Sequence, residues 1–192
     1  MSRVERGAVN LRLSDAERLF ASAGVRLVVR TARPTEDEAP DPDLIPRAEA
    51  ADELTSLLNG LSYVFRQFRV VPYVIGGRVA ALAQGMPVRP VRIDIHIRTA
   101  DVEGARSALR MCSTLRWSDR HQEFRGYDTD VARPGERRWL IAGLIELAID
   151  VAEDLPAALT VAAADTQLAV VPLVVLLAED PDIAELAVRL AG

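Results

Sequence analysis

Cysteine and lysine are the residue types that this chain of 192 residues almost or entirely lacks. The single cysteine, Cys112, excludes an internal disulfide framework and a zinc site built from several cysteines. Because Cys112 falls in a segment with helical spacing, we expect a buried structural thiol. All 23 basic residues are arginine, which excludes chemistry that needs lysine, such as a Schiff base or a P-loop.

Long apolar runs are also missing. The longest run, over residues 168–178, is too short to cross a membrane and contains Pro172. Residues 1–6 lack the apolar core of a signal peptide. The composition, 49% hydrophobic and 27% charged, is typical of a soluble globular protein. We therefore expect a cytoplasmic protein without membrane association.

Charge is unevenly distributed along the chain, although the net value is only −5. Residues 1–33 hold seven arginines against three acids, and residues 66–138 hold fourteen against eight. Acidic residues dominate residues 34–55 and 139–192. The basic blocks favour an anionic ligand, and solvated faces that neutralise each other explain the same pattern equally well.

The chain divides into three parts. Residues 33–46 contain four prolines and five acids with almost no apolar residues, which predicts an acidic linker. Residues 1–32 form a short segment with one helical stretch before the linker. Residues 47–192 carry alternating strand and helix patterns, which predict an α/β domain with a mixed sheet and helical additions.

Within that domain we predict a helix over 47–68. The sequence allows this helix to be continuous or to be interrupted near Asn59-Gly60. Further helices are predicted over 78–84, 101–112, 173–179 and 182–190, with a break at Pro181. Strands are predicted over 70–75 and 91–98, one or two within 114–127, a long one within 139–151 and a hairpin over 160–171.

The chemistry is concentrated around a double glycine. A predicted strand ends at Gly76-Gly77, and a helix starts at once. Glycine allows a phosphate to approach the backbone, and free amides at a helix start can bind that anion. On the next strand, isoleucines alternate with Asp94 and His96, so these two side chains point away from the core. Asp94 and His96 are therefore candidate ligands of a metal ion beside the phosphates.

This arrangement resembles the nucleotidyltransferase superfamily, which includes DNA polymerase beta, aminoglycoside nucleotidyltransferases and abortive-infection-type toxins. The family motif is Gly-Gly or Gly-Ser, then Asp-x-Asp or Asp-x-Glu, and a third carboxylate on a later strand. The resemblance implies a nucleoside triphosphate as ligand and Mg²⁺ or Mn²⁺ as cofactor. The candidate nucleotide-binding residues are Gly76, Gly77, Arg78, Arg89 and Arg92.

The resemblance also implies catalytic carboxylates. Asp94 is the first, and the third is Glu146 or Asp150, with Glu146 preferred for its Gly-x-x-Glu-Leu context. The implied metal ligands are Asp94, His96 and Glu146. His96 stands where the family has its second acid, and an imidazole suits Mn²⁺ better than Mg²⁺.

The N-terminal segment resembles the second half of a Cro-repressor-like helix-turn-helix domain. Its residues 2–7 read Ser-Arg-Val-Glu-Arg-Gly, and a helical stretch follows that ends at Ala23-Gly24. A helix-turn-helix unit needs both of its helices to dock on DNA. Residues 1–32 contain no segment that matches the first of these two helices. We therefore expect DNA binding to be weak or absent.

Two functions follow from these resemblances. The first is transfer of NMP from a nucleoside triphosphate to a hydroxyl acceptor. The second is a non-catalytic regulatory or antitoxin-like role through a protein or DNA partner, which the substitution at His96 favours.

Overall fold

The computed structural model describes residues 41–143, 145–163 and 166–191. In this part of the chain, one eight-stranded mixed sheet and five α-helices confirm the expected α/β class. The helix-turn-helix-like segment and residues 33–40 of the expected linker lie outside it. No helix in these ranges combines the length and apolarity needed to cross a membrane.

The elements in chain order are α1 (Ala50–Phe68), β1 (Tyr73–Gly76), α2 (Gly77–Ala83), β2 (Ile93–Arg98), α3 (Val102–Met111), β3 (Thr114–Ser118), β4 (Glu123–Phe124), β5 (Arg138–Ile141), β6 (Ile145–Ala152), β7 (Leu159–Ala163), β8 (Thr166–Val170), α4 (Leu173–Glu179) and α5 (Pro181–Ala191). The strand order across the sheet is β4-β3-β5-β6-β2-β1-β8-β7.

Strand β2 lies near the middle of the sheet, between β1 and β6. It pairs antiparallel with β1, so that Gly76 is opposite Asp94. It pairs parallel with β6, so that His96 is beside Asp150. This register brings the end of β1, the polar face of β2 and the middle of β6 together at one place.

The alternation predicted for β2 is confirmed. Its three isoleucines, Ile93, Ile95 and Ile97, are buried, while Asp94 and His96 are partly exposed on the other face. Helix α1 adds a second apolar layer through Leu58, Leu61 and neighbouring residues, and it contacts α2 and α3. The alternating pattern therefore separates a buried face from a polar one at β2.

Two predicted elements are corrected. The single long strand over 139–151 is a hairpin of β5 and β6, because the backbone turns at Ala142 and Gly143 with φ of 52° and 71°. Positive φ at both positions suits a tight hairpin, but alanine gives no sequence signal for it. Helix α1 runs without interruption through Asn59-Gly60 and begins at Ala50.

The end of the expected linker packs on the domain. Ile45 is buried, and Leu44 pairs with Val88. Asp43 accepts a hydrogen bond from Arg78 at 2.6 Å, and Arg78 also binds Asp182 of α5 at 2.7 Å. Residues 41–46 are thus tied to α2 and α5 by apolar contact and by ion pairs.

The packing of α1 yields a stability prediction. Leu61 is fully buried, so Leu61→Ala should cost about 2–5 kcal/mol of unfolding free energy through lost burial and the cavity left behind. Urea unfolding followed by circular dichroism measures this loss. The neighbouring exposed residue gives the control, Ser62→Ala, which should change stability little. Equal effects of the two variants would show that α1 does not pack as described.

Candidate functional site

The centre of the candidate site is the corner where β1 meets α2. Gly76 is the last residue of the strand and Gly77 the first of the helix. Gly77 has φ of 56°, a conformation that residues with a Cβ seldom adopt. A Cβ on Gly77 would overlap Asp94 Oδ2, and one on Gly76 would lie 2.5 Å from His96 Nε2. Both glycines therefore make room for the side chains of β2.

These side chains open into a cavity of about 740 Å³, which we call the corner cavity. Its wall includes Gly77, Asp94, His96, Asp150 and the loop before β5. The start of α5 closes another side. The predicted neighbourhood of the double glycine and Asp94 is therefore present, and it faces an open space rather than the core.

Asp94 is a largely buried acid in the wall of the corner cavity. Its side chain is only 24% exposed and accepts a hydrogen bond from Arg92 Nε at 2.7 Å. Burial raises the pKa of the Asp94 carboxyl above its ordinary value, and the guanidinium of Arg92 offsets part of this rise. The nearby charge of Asp180 raises the pKa further. The fold thus holds a carboxylate where its charge is costly.

The other candidate acids differ in position. Asp150 lines the corner cavity, is 64% exposed and lies 3.2 Å from His96 Nδ1. Glu146 is not part of the cavity wall, and its carboxylate is bound by Arg138 Nε at 2.7 Å. Of the two candidates for a third carboxylate, Asp150 is the one that borders the cavity.

The expected metal ligands do not form one cluster. Asp94 is paired with Arg92, His96 with Asp150, and Glu146 with Arg138. Over residues 41–143, 145–163 and 166–191, no three His, Cys, Asp or Glu side chains are placed to hold a metal ion together. The arrangement therefore does not fit a resident metal site.

Of the three candidate arginines, two bind other parts of the chain and one lines the corner cavity. Arg78 is held by Asp43 and Asp182, and Arg89 donates to the Pro42 carbonyl at 3.0 Å. Neither lines the corner cavity, whereas Arg92 does. The expected nucleotide-binding role of Arg78 and Arg89 therefore has no support from their positions.

Two further arginines, Arg137 and Arg138, line the cavity and were not among the predicted site residues. Arg138 lies over the Trp117 ring at 4.3 Å, and its hydrogen bond to Glu146 raises its pKa. The consecutive arginines at the start of β5 are a visible signal in the sequence. Their approach to Asp94 depends on the β5–β6 hairpin, which the sequence does not reveal.

The cavity wall carries more acidic than basic side chains. The arginines are Arg92, Arg137 and Arg138, and the acids are Asp94, Glu136, Asp150, Glu179 and Asp180. Three positive charges thus face five negative ones. A highly charged anion would enter such a cavity only together with cations.

Comparisons of the chain with protein-family models, curated proteins and solved structures find no match.

The burial of Asp94 yields a prediction about pH. Because the folded-state pKa of Asp94 is raised, stability falls as the pH rises from the ordinary carboxyl pKa through the folded-state pKa, and the full cost of the buried charge is present above it. Asp94→Asn should therefore be more stable than the wild type at neutral pH. The gain should shrink as the pH falls and Asp94 of the wild type becomes protonated.

Urea unfolding at neutral and acidic pH tests this expectation. Asp150→Asn, which changes the same charge at an exposed position, is the control and should have little effect at neutral pH. A loss of stability in Asp94→Asn at neutral pH would contradict the account of Asp94.

Proposed function

We propose that this chain is a nucleotidyltransferase-like protein that binds a nucleoside triphosphate in the corner cavity. The proposal is carried by one observation: the Asp94 carboxylate lies against Gly77 in the wall of that cavity. A carboxylate beside a backbone corner without side chains is the arrangement that the resemblance to this superfamily implies for phosphate binding.

The charge of the cavity determines the form of the ligand. Because acids outnumber arginines on its wall, a free triphosphate would be repelled. A nucleotide that carries its own Mg²⁺ or Mn²⁺ has a smaller negative charge and presents a cation to the carboxylates of Asp94 and Asp150. The ligand is therefore the metal complex of the nucleotide, and the ion enters the cavity bound to the phosphates.

Binding without turnover is the favoured role. His96 takes the place of the second acid of the family motif, and each expected metal ligand is paired with another side chain of the chain. This pairing favours binding over turnover, because within the described ranges no three His, Cys, Asp or Glu side chains are grouped to hold a catalytic metal ion. The protein would then act as a regulatory or antitoxin-like module. Nucleotide binding would control its interaction with a protein partner or with DNA.

A second candidate is NMP transfer to a hydroxyl acceptor, and the position of Asp150 favours it. In this reaction the acceptor oxygen forms a bond to the α-phosphorus, and the bond to pyrophosphate breaks. The hydroxyl proton passes to a carboxylate. Asp150 would take it, because this residue is exposed and borders the cavity, whereas Glu146 is held by Arg138.

Nucleotide binding is tested by calorimetry with ATP, CTP, GTP and UTP, each with Mg²⁺ or Mn²⁺. We expect the wild type to bind and Gly77→Ala to lose binding at least tenfold, because the new Cβ displaces Asp94. Gly85→Ala is the matched control. Gly85 also has positive φ, at 89°, but nothing lies within 4 Å of its Cβ position.

Gly77→Ala and Gly85→Ala should share a conformational cost of about 1–2 kcal/mol, so a loss of binding confined to Gly77→Ala reports on the site. Absence of binding in the wild type for all four nucleotides would refute the proposal.

Turnover separates the two candidate functions. With radiolabelled nucleotides and RNA or protein acceptors, we expect no label transfer by the wild type and binding that Asp94→Ala weakens. Wild-type transfer that Asp150→Asn abolishes would establish the second candidate instead. Gain of transfer in His96→Asp would indicate that the chain differs from an active relative mainly at that position.

A further inference from the structure

The loop between β4 and β5, residues 125–137, is held in place by side chains of the sheet, and its end lines the corner cavity. Arg116 of β3 is only 6% exposed, and its guanidinium donates to the Asp130 carbonyl at 2.8 Å. Trp139 Nε1 donates to the Asp128 carbonyl at 2.7 Å. These bonds fix the backbone of the loop, so its last residues have a defined place in the cavity wall.

Arg137, the last residue of this loop, differs from the other two arginines of the cavity wall. Arg92 and Arg138 each form an ion pair with a carboxylate. Arg137 forms no ion pair with a residue of the described ranges, and its Nε donates to the Val131 carbonyl at 2.9 Å. The base of its guanidinium is therefore fixed, while its charge is not neutralised by a carboxylate of the described chain.

The two terminal nitrogens of Arg137 are accessible to a ligand. Neither donates a hydrogen bond to another described residue. In the same ranges, the buried side-chain polar atoms without a hydrogen-bond partner belong to Arg106, Thr114 and Trp117, and none belongs to Arg137. Both terminal nitrogens of this half-buried side chain are therefore open to solvent and can donate to a molecule in the corner cavity.

The register of the sheet gives the separation between Arg137 and Asp94. Arg138 is opposite Ala148 of β6, and Ala148 is beside Asp94 of β2. Neighbouring strands lie ~4.8 Å apart, so the backbones of Arg138 and Asp94 are separated by about 10 Å. Arg137 is the next residue along the chain. An anion that contacts both Arg137 and the Gly77 corner must therefore extend across the cavity, as an extended phosphate chain does.

We propose that Arg137 binds the terminal phosphate of the nucleotide in the corner cavity and makes this site selective for triphosphates over monophosphates. This inference rests on the proposed nucleotide binding. The metal ion of the ligand neutralises the phosphates beside Asp94 and Asp150, and the terminal phosphate meets the one cavity arginine whose charge is uncompensated within the described chain. The planar fork of a guanidinium suits two phosphate oxygens.

Calorimetry with ATP, CTP, GTP and UTP, their four monophosphates and tripolyphosphate, all at the same free Mg²⁺ concentration, tests the inference. The wild type should bind the triphosphates at least tenfold more tightly than the monophosphates, and it should also bind tripolyphosphate, which has no base. Arg137→Gln should weaken binding of the triphosphates and of tripolyphosphate about tenfold, because charge-assisted hydrogen bonds are lost. Its affinity for the monophosphates should change less than twofold.

Two further variants isolate the charge of Arg137. Arg133→Gln is the matched control, because Arg133 is on the same loop, binds Asp128 at 2.6 Å and does not line the cavity. This variant should bind all ligands as the wild type does. Arg137→Lys keeps the charge without the bond from Nε to the Val131 carbonyl, and it should lose no more than threefold in triphosphate affinity. Equal losses in Arg137→Lys and Arg137→Gln would assign the effect to that bond and would overturn the inference.

The other outcomes separate this inference from the proposed function. If Arg137→Gln binds triphosphates as tightly as the wild type, the inference is wrong and nucleotide binding stands. The same holds if Arg137→Gln weakens triphosphates and monophosphates equally, because Arg137 would then not distinguish the length of the phosphate chain. If the wild type binds none of the four triphosphates, the inference and the proposed function fail together.

Discussion

The contact between the Asp94 carboxylate and the backbone of Gly77 is the constraint on which the candidate site depends. Antiparallel pairing places Gly76 opposite Asp94, and the chain turns into α2 at the next residue. A side chain at Gly77 would occupy the space of Asp94 Oδ2. The strand pairing, the positive φ of Gly77 and the position of the carboxylate therefore depend on one another, and a change in any of them alters the wall of the corner cavity.

Around this contact, arginine side chains form ion pairs with the acidic side chains. Arg92 pairs with Asp94, and Arg138 pairs with Glu146. Burial still raises the pKa of Asp94, so the compensation is incomplete. A costly carboxylate in a cavity wall is a common feature of binding sites, because stability and function often compete there.

The local sequence pattern was sufficient to predict those parts of the site that lie on one segment of the chain. The Gly76-Gly77 corner and the alternation around Asp94 follow from neighbouring residues, and the structure confirms both. The partner of Arg78 could not be predicted, because Asp182 is 104 residues away. The β5–β6 hairpin was missed because its turn uses Ala142 at positive φ. Since Arg138 lies on β5 and Arg137 just before it, the approach of these two arginines to the cavity was missed with the hairpin.

The most direct test of the central claim is a crystal structure of the chain with Mg²⁺ and a non-hydrolysable nucleoside triphosphate. The account predicts phosphate oxygens within hydrogen-bond distance of the Gly76-Gly77 backbone, with the ion between them and the Asp94 carboxylate. Density for the nucleotide elsewhere, with Asp94 still bound only to Arg92, would contradict it.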